Sequence, residues 1–423
     1  MKDEAGWRVL QSAARLLLEY NERSALIKQH VGRAAAHLGI AVSTVVTYKE
    51  VTLATRDGRM FRADAPEIRI NMAVSIGTLR AIDDLCAGRS SVDEAIRRLD
   101  SVERESGRHD RYVVAALFGL AAAALAALLG ADWAAIVSSG VSAAVGLFAR
   151  QQVAKGARTL LLPPFTAALV GALVGGLVIR AGWTMTPHLS LIVPALMLVP
   201  GPHLINGIED VLENEIQAGI GRLCLALTIL LAAALGVVAG LWITLGAMAE
   251  PAAGSRVATV ALVDVVLAGA ASGGFAAFQN SPWRVVWVSI ACGAIGYAIR
   301  AIGLALGVGL APASLAACCA IGIAAGLSAG RLQIPFAPAA FAGAAPLMPG
   351  MLIYRSIAGA VRMAAPGSAD PALAVTMLSP FFEAAFVVGA MVSGLVLGAR
   401  LASLRQSPVD RRASTTTERG CAV

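Results

Sequence analysis

The sequence predicts an α-helical polytopic membrane protein with a small soluble α+β domain at its N-terminus. Three observations carry this reading. The chain is 57% hydrophobic with a mean hydropathy of +0.72 and only 14% charged residues, outside the range of soluble domains. Its charge is segregated: 34 charged residues precede Tyr112, 21 lie between Tyr112 and Arg400, and 6 follow. From Tyr112 on, apolar runs succeed one another, each near the roughly 20 residues that a helix needs to cross a bilayer.

The head, residues 1–111, opens with two helical patterns over 4–18 and 22–38, ended at Gly39. VSTVVTY, VTLATR and RMFRAD around the Asp57-Gly58 turn predict an antiparallel meander. An extended segment over Glu67–Met72 then leads into a helix from about Ser75 to Cys86. Ser91 followed by Glu94 is a capping box that opens a last head helix reaching about Glu105. The opening MKDEAGW lacks an apolar core after a basic start, so no cleavable signal peptide is expected. His30, His37 and His109 lie in charged surroundings, with no nucleophile–His–acid order or metal spacing around them. The six cysteines, Cys86, Cys224, Cys292, Cys318, Cys319 and Cys421, read as small packing residues without a disulfide framework.

Ten spans are expected: 112–130, 133–149, 159–179, 188–206 and 223–247, then 257–277, 284–305, 312–330, a broken 336–362, and 372–398. Residues 401–423 read as a disordered polar tail. Arg150, Lys155, Arg158, Arg284, Arg331 and the arginines from Arg400 onward fall on the side of the head, which places both termini in the cytoplasm; Arg180, Arg256, Arg355 and Arg362 dilute the signal. The net charge of +7 fits this loop bias, and no nucleic acid is implied.

A shift of 150 residues superposes Trp133, Ser139, Ala144, Gly146 and Arg150 on Trp283, Ser289, Ala294, Gly296 and Arg300. A shift of 149 superposes Pro200-Gly201 on Pro349-Gly350. Each copy, 112–250 and 251–400, holds five spans, and an odd number inverts the second copy. Inverted repeats of this kind mark secondary transporters.

The stretch LSLIVPALMLVPGPHLINGIEDVLENEIQAGIGRL organises the first copy. An apolar helix breaks at Pro200-Gly201-Pro202, because proline removes backbone donors and glycine relaxes φ. It continues as an amide-rich, acidic segment. In lipid, such a break is tolerated where protein or a watery cavity satisfies the freed backbone groups.

These motifs, with GTLRAIDDLCAG and SVDEAIRRLDSV in the head and PLMPGMLIYRSIAGA in the second copy, resemble the threonine/serine exporter family of bacteria and fungi. The resemblance covers the chain to about Arg400. It implies ten membrane helices, a cytoplasmic N-terminal domain, and proton-driven efflux of small hydroxylated amino acids. Some members are split into two proteins linked to dicarboxylate export, so succinate is the alternative solute. The family head has been suggested to be hydrolase-like, but no residues here support that assignment. The resemblance departs at Glu19-Tyr20-Asn21-Glu22, where a small Gly- or Ala-containing turn is expected.

Candidate solute-binding residues are Pro200, Gly201 and Asn206 at the first break, and Pro349, Gly350 and Tyr354 at the second. Broken helices offer free amides to a carboxylate, and acidic groups or carbonyls to an ammonium. Candidate proton-coupling residues are Asp264, placed mid-span, Glu383, Glu209 and Asp210. An ionisable group in lipid costs roughly 2.5–3.5 kcal/mol on insertion scales, so it is by default functional or paired. The alternatives are pairing with Arg300 or Arg150 for Asp264, an interfacial position near Pro380 for Glu383, and solvated loop positions for Glu209 and Asp210. No nucleotide-binding GxxxxGK[ST], HExxH or second mid-membrane aspartate is evident, so neither ATP-driven transport nor an intramembrane protease is expected. No catalytic residue, metal or cofactor is assigned. The expected partners are a small solute, protons and lipid, and a homo-oligomer is compatible with the pattern. A passive channel is the third class.

Overall fold

The computed structural model describes residues 2–107, 109–156, 159–246, 261–332, 336–363 and 371–405. It divides into two compact units, Met1–Gly254 with Gly274–Trp283, and Ser255–Gly273 with Arg284–Val423.

The head belongs to the first unit. It runs α1 (Lys2–Glu19), α2 (Ser24–His37), β1 (Val42–Val46), β2 (Glu50–Thr55), β3 (Met60–Asp64), α3 (Met72–Cys86) and α4 (Val92–Glu105). The three strands form the expected antiparallel meander, with Val46 opposite Val51 and Leu53 opposite Phe61. Alternation turns Val51 and Leu53 inward onto Leu10, Leu16 and Leu17 of α1, and Trp7 stacks on Phe61 at 4.1 Å. The Ser91 hydroxyl accepts from Glu94 N, as the capping box requires. The expected extended segment over Glu67–Met72 is not a strand. Its backbone is held elsewhere: Arg69 N donates to Glu19 O, and Met72 N to Gln279 O. Asn71 caps α3 by accepting from Ala73 N.

The first unit continues through α5 (Arg111–Leu128), α6 (Trp133–Val153), α7 (Leu162–Arg180), α8 (Pro187–Leu196), α9 (Gly201–Leu212) and α10 (Ile216–Leu245). α11 (Leu262–Phe278) begins in the second unit and ends in the first. The second unit then holds α12 (Trp283–Ala305), α13 (Leu310–Leu332), α14 (Phe336–Ala344), a 3-10 turn at Ala345–Leu347, α15 (Gly350–Met363) and α16 (Pro371–Arg405). Small residues set the helix spacing: a Cβ on Gly236 of α10 would lie 2.3 Å from Phe165 O of α7, and one on Gly398 of α16 would lie 2.1 Å from Cys319 O of α13.

Among the described residues, seven helices are long and apolar enough to cross a bilayer, eight if α8 and α9, bent by 58°, count as one crossing. Seven of the ten expected spans, or eight with the bent pair counted as one, therefore fall on helices of spanning length and composition. The other two fall on shorter apolar helices, α11 and Pro338–Leu347. The polar tail beyond Arg405 lies outside the described residues, as do the first positions of the span expected at 257–277.

Candidate functional site

The site is built on the break between α8 and α9. Gly201 N donates to Val199 O at 2.8 Å, and both His203 N and Leu204 N donate to Pro200 O at 3.1 Å. The second motif repeats this pattern at an offset of 149. Gly350 N donates to Met348 O at 2.8 Å, and Leu352 N and Ile353 N donate to Pro349 O at 3.1 Å. Arg300 of α12 donates to Leu347 O at 2.6 Å, which satisfies a carbonyl that the break leaves without a helical donor.

α9 wears its polarity inward. His203, Asn206, Glu209 and Asp210 are buried, whereas Leu212 is 66% exposed. That is the amphipathicity of a helix whose outer surroundings are apolar.

The buried stripe meets the head. α2 has no side-chain cap of its own, since Arg23 occupies the N-cap position. Asp210 supplies the missing acceptor across 186 residues: Oδ1 accepts from Ser24 N and Oδ2 from Ser24 Oγ, both at 3.0 Å. A carboxylate at a helix N-terminus satisfies an orphan donor and the positive end of the dipole together. Arg222 of α10 pairs with the same carboxylate at 2.9 Å and donates to Glu22 O. Asn206 Nδ2 donates to Asn21 O. Arg23 lies between Glu209 (3.2 Å) and Glu213 (3.7 Å), and Lys28 pairs with Glu215. Tyr48 of the head lies over Gly221 of α10.

The Glu19–Glu22 turn is the piece of the head that fits here. Tyr20, Asn21, Glu22 and Ser24 are all buried, and Asn21 adopts φ 60°, a left-handed conformation that asparagine tolerates. Burial is the main cause that holds the Glu22 carboxyl above the ordinary carboxylate range. Burial, then the hydrogen bond to Glu103, pushes the Tyr20 hydroxyl up to about 12.

The predicted residues thus fall in several places. Asn206, Glu209 and Asp210 converge on the head, following Pro200 and Gly201. Pro349 and Gly350 open α15, which carries the buried Tyr354. Asp264 is 2% exposed but sits in the first turn of α11, not at mid-span, because the helix starts at Leu262. Glu383 is exposed on α16, three residues beyond Pro380. Sequence reasoning missed Asn21, Glu22, Arg23, Ser24 and Arg222. Arg222 carried a signal, a lone cation within the apolar run IQAGIGRLCLALTILL.

Comparison with known proteins agrees with this architecture in both units. Residues 8–244 match the family model described as "Putative threonine/serine exporter", and residues 264–400 match the one described as "Threonine/Serine exporter, ThrE". The chain is 24% identical over 238 residues to the "Probable succinate transporter subunit YjjP" of Klebsiella aerogenes, covering 55% of this chain and 91% of the relative. It is 25% identical over 232 residues to the protein of that name from Escherichia coli K12, covering 54% and 90%. It is 26% identical over 344 residues to a "Probable threonine/serine exporter" of Mycobacterium tuberculosis, covering 77% of this chain and 61% of that relative. No solved structure matches. With one family model spanning the head, the broken helix and α10, and a second spanning α11 to α16, the chain belongs to the threonine/serine exporter family.

Proposed function

We propose that this chain is a proton-coupled secondary transporter of the cytoplasmic (inner) membrane that exports threonine, serine or a similar small amino acid. The observation that carries the reading is the broken helix with its buried polar stripe, in a chain of this family. A bilayer protein keeps such a stripe only where solute, water or protein meets it. In this reading the chain makes ten crossings as two inverted five-helix repeats, with both termini in the cytoplasm. Pro200, Gly201, Asn206, Pro349, Gly350 and Tyr354 line the solute path.

Asp264 and Glu383 carry the proton in the second unit. Protonating Glu209 or Asp210 removes a partner of Arg23 or Arg222, and so links proton entry to release of the head. The similarity to succinate transporter subunits over the first half favours a dicarboxylate as the second reading, and the word "subunit" in their names makes a larger assembly worth testing. Purified protein in liposomes, offered threonine, serine and succinate with and without an imposed pH gradient, tests both readings. Gradient-dependent uphill flux of an amino acid is expected. Flux that merely follows the solute gradient would mark a passive channel.

A further inference from the structure

The head does more at the break than hold it. Asn21 is 3% exposed, yet among the described residues no group is hydrogen-bonded to its side-chain nitrogen or to its side-chain oxygen. Asn206, 2% exposed, has its nitrogen on the backbone carbonyl of Asn21 and its Oδ1 unpartnered. His203, 4% exposed and one turn earlier on the same face of α9, has Nδ1 unpartnered. Leaving polar atoms of three buried side chains without hydrogen bonds is costly. In the adjoining contact both oxygens of Asp210 are engaged by Ser24.

We propose that Asn21, a residue of the soluble head, is a solute-binding residue of the transport path and recognises the hydroxyl group of the solute together with Asn206 and His203. The inference rests on the amino-acid export reading above and adds the residue that selects the side chain. The chemistry of the set points to a hydroxyl. Asn21 offers the two N–H donors of its amide and an acceptor oxygen, and the unpartnered oxygen of Asn206 is a second acceptor. A hydroxyl gives one proton and takes another, so it satisfies both sides. A carboxylate accepts only, so it would leave the two amide oxygens of Asn21 and Asn206 without a donor. This donor and acceptor set favours a hydroxylated amino acid over a dicarboxylate at this position. It also gives the head a place in the path: its Tyr20–Ser24 turn forms one wall of the site.

The test uses full-length protein in liposomes with threonine, with succinate, and with 2-aminobutyrate, which is threonine without its hydroxyl. Asn21→Gly suits the left-handed turn and keeps the backbone carbonyl that holds Asn206, so only the amide is lost. Wild type is expected to prefer threonine, and Asn21→Gly to raise the KM for threonine about tenfold, with maximal rate within about twofold and the preference abolished. Asn21→Asp also tolerates the turn and removes the donor. It is expected to lose the preference too, which covers the case of a poorly folded glycine variant. An unchanged preference in both variants overturns the inference, leaving Asn21 a hydrated structural amide. Wild type that carries succinate alone overturns it as well. If wild type carries none of the three solutes, the export reading itself fails, an outcome separate from a normal transporter that is indifferent to Asn21.

Discussion

Asp210 of α9 and Arg222 of α10 form an ion pair of 2.9 Å in which neither side chain is exposed, and the same carboxylate caps α2 of the head. Burial removes the hydration of both charges, so each depends on the other. Removing one partner strands a buried charge. Asp210→Asn or Arg222→Met should each lower stability by about 3–5 kcal/mol. The double variant should lose less than the sum, as coupled residues do. Thermal unfolding in detergent reads all three, and strict additivity would show that the charges do not depend on one another.

Glu22 provides the pH test. Burial holds its carboxyl above the ordinary value of 4.5, so the docked turn prefers the neutral acid. A raised folded-state value contributes stability that is complete below 4.5 and is lost as pH rises through the folded value. Glu22→Gln fixes the neutral form. Its melting temperature should exceed that of wild type at about pH 8, with the gap closing toward about pH 5. A gap that widens on acidification contradicts the assignment.

Much of the fold was legible because its signals are local. Apolar spacing marked α1 and α2, alternation marked the meander, Ser91 and Glu94 marked the start of α4, and Pro200-Gly201 and Pro349-Gly350 marked the breaks. The role of the acidic stripe was not legible, because its partners lie far along the chain. Ser24 and Asp210 are 186 positions apart, and no periodicity links an acidic helix to a turn that distant. The Glu19–Glu22 turn gives no local sign of its role either; in place, Asn21 O and Glu22 O accept from Asn206 and Arg222. Asp264 was misplaced within its helix for a related reason, since an apolar run does not mark where a helix begins.

Gly221 tests the apolar side of the same joint. A Cβ there would lie 2.5 Å from Cγ of Tyr48, closer than packed carbon atoms approach. Gly221→Ala should therefore push the Tyr48 strand–turn off α10 and cost about 1–3 kcal/mol. Tyr48→Gly removes the Cβ at 2.7 Å together with the ring, so the pair should be less harmful than the singles predict. Hydrogen exchange over residues 45–52 is the direct readout, with faster exchange expected in Gly221→Ala alone. Unchanged exchange would mean that this contact is not tight.

The last prediction concerns orientation, and contacts inside the first unit frame it. Asp132, before α6, accepts from Thr184 Oγ1 at 2.8 Å and Thr186 N at 2.9 Å, so the α5–α6 and α7–α8 connections share one end of the helices. Burial alone would raise this carboxyl, but the N–H groups of Ala135, Met185 and Thr186 and the Thr184 hydroxyl hold it at about 2, which keeps it charged at any physiological pH. At the other end, Glu215 between α9 and α10 meets Lys28 of the head. The helices α5, α6, α7, the bent α8–α9 pair and α10 therefore alternate between a head end and an Asp132 end. The α6–α7 connection, with the exposed Lys155, follows on the head side, and the exposed Trp183 lies beside the Thr184 contact. If the head is cytoplasmic, as the loop charges argue, a cysteine at 155 in a cysteine-free background should resist an impermeant maleimide added to intact cells. A cysteine at 183 should react under the same conditions. Both positions should label once the membrane is permeabilised. The reverse pattern would place the head outside, and the proposed direction of export would be reversed with it.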